Sequence, residues 1–283
     1  MNTTFSAVRP GIRRGLIELR QLFTTGQELF GQFFWPVVMI VVMIFLRDNT
    51  LEGVPIDLGT FALPSVLGMN LGFTGLIYLA QLLAVEREDG TLLRAKAVPN
   101  GMTGYLIGKI VTVSGSILIG ILIVLVPGLF LFDGLALDTV GAWLTLTWVL
   151  LLGLVATLPI GAVIGSLLKS PRSLGLLMLP MMGLIAVSGI FYPISAMPDW
   201  LQVVGQLSPI YWLGLGMRSA LLPDQAVLAE IGESWRHLET VGVLGIWAVV
   251  GLTLAPVVLR RMARRESGST VAARRERAMQ RVG

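Results

Sequence analysis

The residues best placed to do chemistry form one run, Glu86-Arg87-Glu88-Asp89-Gly90-Thr91-Leu92-Leu93-Arg94-Ala95-Lys96-Ala97-Val98-Pro99, the only dense mixed-charge stretch between two long apolar segments. Carboxylates and guanidinium groups packed this closely are available to water or to a partner. Hydrocarbon does not hold such a run: one Arg or Asp at a bilayer centre costs roughly 2.5–3.5 kcal/mol even on the mild insertion scale. The run therefore lies outside the bilayer and connects two spans. Pro99 stops a helix, and Val98 before it favours extended backbone. Glu86 to Ala97 is helix-compatible, with Gly90 the weak point. These residues alone allow a short helix along the membrane face or a solvated loop.

Other chemistry is nearly excluded. The chain has no Cys, which removes disulfides and thiolate metal sites, and a single His, His237, which removes a multi-histidine site. No phosphate-binding Gly-x-x-x-x-Gly-Lys-Ser/Thr occurs. Gly108-Lys109 comes nearest, but Ile110 follows and Gly104 is one residue too close. The span centres lack ionisable groups, which disfavours an ion- or proton-coupled carrier. Asn70, Gln81, Ser114, Ser116, Thr145 and Thr147 can line a path, or bond between helices and to their own backbone.

The elements that must position the charged run are membrane spans. Hydrophobic residues are 54% and charged residues 13% of the 283 residues, against about 25% charged in a soluble domain. The mean hydropathy is +0.80. Apolar runs at 29–46, 58–84, 105–132, 139–168, 173–192 and 239–259 predict six transmembrane helices, each near the ~20 residues that cross a ~30 Å core. Pro36, Pro64, Pro127, Pro159 and Pro180 put a proline in each of the first five. Gly68-x-x-x-Gly72 and Gly161-x-x-x-Gly165 permit close helix approach, as internal packing rather than a dimer seam.

Before the first span, residues 1–28 carry Ile12, Leu16, Leu19 and Phe23 on one helical face, with Arg13, Arg14, Glu18 and Arg20 largely off it. That pattern predicts an amphipathic helix, lying in the membrane interface or packed on protein. Between the fifth and sixth spans, Pro193, Pro198 and Pro209 break an apolar stretch into pieces too short to cross. Residues 194–222 read as re-entrant or interfacial helices. Asp199 is placed to cap the first of them. Tyr192, Trp200, Tyr211 and Trp212 suit a membrane–water interface.

Basic residues give the orientation. The N-terminal segment, the connector with Lys109, the 169–172 turn and the 260–283 tail hold 18 of the 21 Lys and Arg, whereas 10 of the 17 acids fall on the opposite side. Positive residues favour the cytoplasm, so both termini and the connector are expected there, in a multi-pass protein of the cell membrane. The basic tail suits anionic headgroups or a stop-transfer role, and nucleic acid is a poor partner for a tail joined directly to a span.

Two motifs at their expected places carry a family resemblance. Glu86-Arg87-Glu88-x-Gly90-Thr91-Leu92, closed by Pro99, resembles the cytoplasmic segment after the second span of ABC-2 type exporter permeases, the group that includes daunorubicin-resistance-like and lipid or polysaccharide exporters. Ser188-Gly189-Ile190-Phe191-Tyr192-Pro193, then Met197-Pro198-Asp199-Trp200-Leu201, Ser208-Pro209 and Arg218, is similar to that family's segment after the fifth span. The likeness covers nearly the whole chain, with departures at Leu93, Ala95 and Val98.

The resemblance implies an all-α integral membrane protein whose 29–259 domain moves an amphipathic or hydrophobic drug, lipid or glycan outward. A separate cytoplasmic ABC ATPase would hold the ATP and Mg, leaving no cofactor, metal or catalytic residue in this chain. Glu86, Arg87, Glu88, Gly90, Thr91, Leu92 and Pro99 would form a coupling helix in a groove of that ATPase. Gly189, Pro193, Pro198, Trp200, Pro209 and Arg218 would shape an outer gate. A second permease copy, identical or homologous, would complete the path. A membrane-embedded lipid-modifying enzyme and a non-transporting scaffold are the alternatives. The first lacks a clustered acid, base or nucleophile inside the bilayer.

Overall fold

The computed structural model describes residues 3–50, 56–168 and 173–265. The expected turn at 169–172 and the tail beyond residue 265 lie outside them. The described chain is all α-helical, and five helical segments are long and apolar enough to cross a membrane. Helix α1 (Thr3–Gln21) precedes the first of these, α2 (Gly26–Leu46). The second is α3 (Leu58–Phe73), a π turn (Thr74–Tyr78) and α4 (Leu79–Glu88), run together without a break. After the short α5 (Thr91–Lys96) come α6 (Gly101–Leu131) and α7 (Val140–Leu167). Helices α8 (Leu174–Ala186), α9 (Asp199–Leu207) and α10 (Pro209–Leu221) are short, and α11 (His237–Arg265) is the last long one.

The apolar run at 173–192 does not become a long helix. Helix α8 has 13 residues, and Val187, past its end, leaves the helical conformation. At 1.5 Å per residue this is only about 20 Å of helix. The chain then turns through Gly189 toward the proline-rich segment.

The ladder of helices gives the molecule two ends. One, the connector end, gathers α1, the end of α4, α5, the start of α6 and the ends of α7 and α11. The far end gathers residues 46–50 and 56–58, the loop at 132–139 and the segment 190–236. Helix α1 packs on α6, α11 chiefly on α7, and α10 against α3, α7 and α11.

Helix α10 is the most enclosed element: all of it but Ser219 is buried. Ser208 caps it by accepting from the Ile210 N–H, and Pro209 takes the first helical position, where its missing N–H costs nothing. Tyr211 and Trp212, expected at an interface, are 0% and 2% exposed. The π turn packs on α7, with the Gly161 Cα against the Gly75 carbonyl, and Gly68 lies on the backbone of Gly214. Both small-residue motifs thus serve contacts within the chain.

Candidate functional site

The charged connector is not one helix. Glu86, Arg87 and Glu88 belong to the last turn of α4, so the second span runs past the apolar stretch before ending. Gly90 then takes the left-handed conformation at φ 81°, which a Cβ makes costly, and a six-residue helix follows. The Asp89 carboxylate accepts from the Thr91 N–H at 2.7 Å and so starts α5. Leu92, 2% exposed, and Ala95 face inward and seat α5 on α4 and α6. Arg94, Val98 and Pro99 are exposed. The Arg94 guanidinium donates back to the Thr91 hydroxyl at 2.8 Å. Glu88 is half-buried.

Glu86 and Arg87, expected to meet a partner, instead bind the body of the protein. Arg87 donates to the carbonyls of Ser166 (3.3 Å) and Leu168 (2.9 Å), and so closes the C-terminal end of α7. These are among the carbonyls a helix end leaves unsatisfied, and a cation there also meets the helix dipole. Glu86 accepts from the ammonium of Lys109 on α6.

Lys109 is the hub of a buried cluster. Its side chain is 3% exposed, and its second carboxylate partner is Glu18 of α1 at 2.6 Å. Glu18 also accepts from Arg14 (2.8 Å) and from the Thr112 hydroxyl (3.1 Å). The Tyr105 ring lies between the Arg14 guanidinium at 5.1 Å and the Lys109 ammonium at 5.6 Å. One cation thus joins α1, α4 and α6. Burial pulls the Glu18 carboxyl upward, but the hydrogen bonds from Lys109 and Arg14 outweigh it and hold the group below its ordinary value of 4.5.

Helix α1 reaches this cluster by its small residues. A Cβ at Gly11 would stand 2.7 Å from the Gly104 carbonyl oxygen, and one at Gly15 2.6 Å from that of Gly108. The two helices therefore touch backbone to backbone, which carries Glu18 within reach of Lys109. Three of the four residues of the expected apolar stripe face away, Ile12, Leu16 and Phe23 at 41%, 54% and 41% exposed, while Leu19 packs on α6 at Gly115. The arrangement suits an interfacial helix with an apolar outer face.

At the far end the structure brings together two of the expected gate residues. Arg218 is fully buried and pairs with Glu230 at 2.5 Å. It also donates to the Ser65 hydroxyl (2.8 Å) and the Gly189 carbonyl (3.1 Å), and lies over the Phe61 ring. Pro209 opens α10, which carries Arg218. Pro193 precedes the buried Ile194, and Pro198, not Asp199, occupies the cap position of α9; Asp199 makes no capping hydrogen bond. Trp200 points outward, 67% exposed, apart from the cluster. Arg236 stacks on Trp212 at 4.7 Å and donates to Gln206 at 2.7 Å, fastening α9 to α10.

Sequence reasoning missed Lys109 as a hub, Glu18 as its partner, and Glu230. The available signal was that a cation adjoining or within an apolar helix needs a buried counter-ion. Among the polar residues expected to line a path, Ser116 bonds with Gln32 of α2 at 3.0 Å and Thr147 bonds back to the Trp143 carbonyl.

The family profile of ABC-2 family transporter proteins matches residues 27–256, from the first span to the last. The chain belongs to the ABC-2 transporter family. It is a membrane permease component of an ABC exporter, with several membrane-spanning helices. No curated protein matches the permease. The matched range holds the connector and the Arg218 cluster, while α1 with Glu18 lies before it.

Proposed function

We propose that the permease exports an amphipathic or hydrophobic compound from the cytoplasm or inner leaflet, driven by a separate cytoplasmic ABC ATPase that docks on α5. The observation that carries this reading is the three-way tie at Lys109. Helix α5 hangs from α4, and α4 is tied through Glu86 to α6 and α1, and through Arg87 to α7. A push on α5 then reaches three spans through buried ionic contacts instead of dissipating in a loop. The surface offered to the ATPase is Glu88, Arg94, Val98 and Pro99, while Glu86 and Arg87 transmit the motion inward. A second permease copy, identical or homologous, completes the path, and the Arg218–Glu230 cluster fixes the outer end of α10 as the gate.

Glu88→Lys and Arg94→Glu test this. Both leave permease abundance in the membrane unchanged. Each lowers co-purification with the ATPase, and substrate-stimulated hydrolysis with it, by about tenfold, the factor for ~1.4 kcal/mol at an interface. Full ATPase association and export by both variants would remove α5 as the docking element.

A further inference from the structure

A groove of about 800 Å³ opens sideways at the connector end, between α6 and α11. Its floor is α7 and α4, and its two walls are helical stripes of α6 and α11. The inner part is apolar, as at Leu106, Val155 and Leu252, and the rim is basic, with Arg260 and Arg264 on the α11 side. We propose that an anionic phospholipid of the leaflet at the connector end lies lengthwise in this groove, its phosphate held by Arg260 and Arg264 and its acyl chains against α6, α7 and α11.

Charge and length both select this occupant. Arg260 and Arg264 are four residues apart, so they share one helix face about 6 Å apart along the axis. Both are exposed, and neither has an ion-pair partner among the described residues. Like charges at this spacing repel, and an anion between them turns the repulsion into attraction. Along α6 the lining runs from Met102 to Ser114, and along α11 from Leu252 to Arg264. Each is about 18 Å, close to half of a ~40 Å bilayer with its headgroups. A single lipid of one leaflet therefore spans it with its head at the arginines. Basic pockets between transmembrane helices recognise anionic headgroups on this physical basis. Lys109 also lines the groove, and its charge is already met by Glu18 and Glu86, so the bound lipid lies against the cluster that ties the spans together.

The experiment uses the full chain in nanodiscs, with spin-labelled phosphatidylglycerol and phosphatidylcholine, reading the immobilised fraction of each by electron spin resonance. Phosphatidylglycerol is immobilised preferentially. Arg260→Gln and Arg264→Gln each reduce that preference about fivefold, the factor for one basic group at an anionic surface. Ser114→Phe, which fills the inner end, lowers immobilisation of both lipids. Arg9→Gln with Arg13→Gln, which removes two charges from α1 against one in each groove variant, changes neither. An unchanged preference in the Arg260 and Arg264 variants overturns the proposal, as does an equal loss in the α1 control. If Ser114→Phe instead splits a dimer and spares lipid binding, the groove is a seam between two copies and the proposal fails. Both faces of the nanodisc carry the same lipids and no ATPase is present, so the outcome is independent of orientation and of α5 docking.

Discussion

Lys109 shows how one side chain converts an unfavourable burial into a mechanical joint. Its ammonium is taken out of water, and two carboxylates return the lost solvation. Lys109→Met leaves Glu86 without its cation and Glu18 with Arg14 alone, and thermal unfolding in detergent reads a loss of about 3–5 kcal/mol, the range for stripping one partner from a buried pair. The Glu18 carboxyl, held below 4.5, contributes stability that is complete above 4.5 and is lost as pH falls through its lowered native value. Acid titration of stability in that window therefore flattens in Glu18→Gln. At the other end, Arg218→Met strands the buried Glu230 carboxylate and costs a similar amount. The pair Arg218→Met with Glu230→Gln loses less than Arg218→Met alone, because no lone charge remains buried. A double-variant loss equal to the sum of the Arg218→Met and Glu230→Gln losses, measured in one double-mutant cycle, would show that the two groups act separately.

At the scale of elements, the contact between α1 and α6 is decided by glycine. Gly15→Leu has no space, since even a Cβ there meets the Gly108 carbonyl oxygen at 2.6 Å, so α1 leaves α6 and takes Glu18 from Lys109. The chain has no native cysteine, so a single Cys at the buried Leu22 reports this directly. A thiol reagent labels Leu22→Cys slowly in the parent and at least about tenfold faster when Gly15→Leu is added, as expected for a site opened by loss of local packing. Helix α5 illustrates the opposite case. Six residues are too few to hold a helix alone, and its order comes from the Asp89 contact and from Leu92 beneath it.

At the scale of the whole molecule, both ends are built on a buried ion pair, and the bundle between them is apolar. Two spans and α1, joined at Lys109, form one unit at the connector end, and α10 with Arg218 forms another at the far end. The distribution of basic residues predicts an orientation with α5 on the cytoplasmic side. Single Cys replacements at Asp89 and Gln225, both exposed, test it in intact cells with an impermeant thiol reagent. Position 225 is labelled and position 89 is protected; the reverse pattern inverts the permease in the membrane and excludes α5 from a cytoplasmic ATPase.

By itself the sequence determined the membrane class, the long helices and the family, because these depend on local composition. A bilayer core rejects charge wherever it occurs in a run of ~20 residues, and the two motifs need no partner to be recognised. It did not determine which charged residues face inward. Glu86 and Arg87 read as docking groups because they adjoin a span, and they turned inward because α4 continues past its apolar stretch and points them at α6 and α7. Tyr211 and Trp212 look interfacial by type, yet α10 is enclosed by α3, α7 and α11. No local pattern marks Glu230, among the acids after α10, as the partner of Arg218; the folding of that loop places it there. The run at 173–192 has the composition of a span, and the chain turns at Val187 and Gly189 instead of extending it. Each of these outcomes rests on which helix faces meet, and that is set by close approaches between residues far apart in sequence, such as Gly15 on Gly108, which leave no local periodic trace.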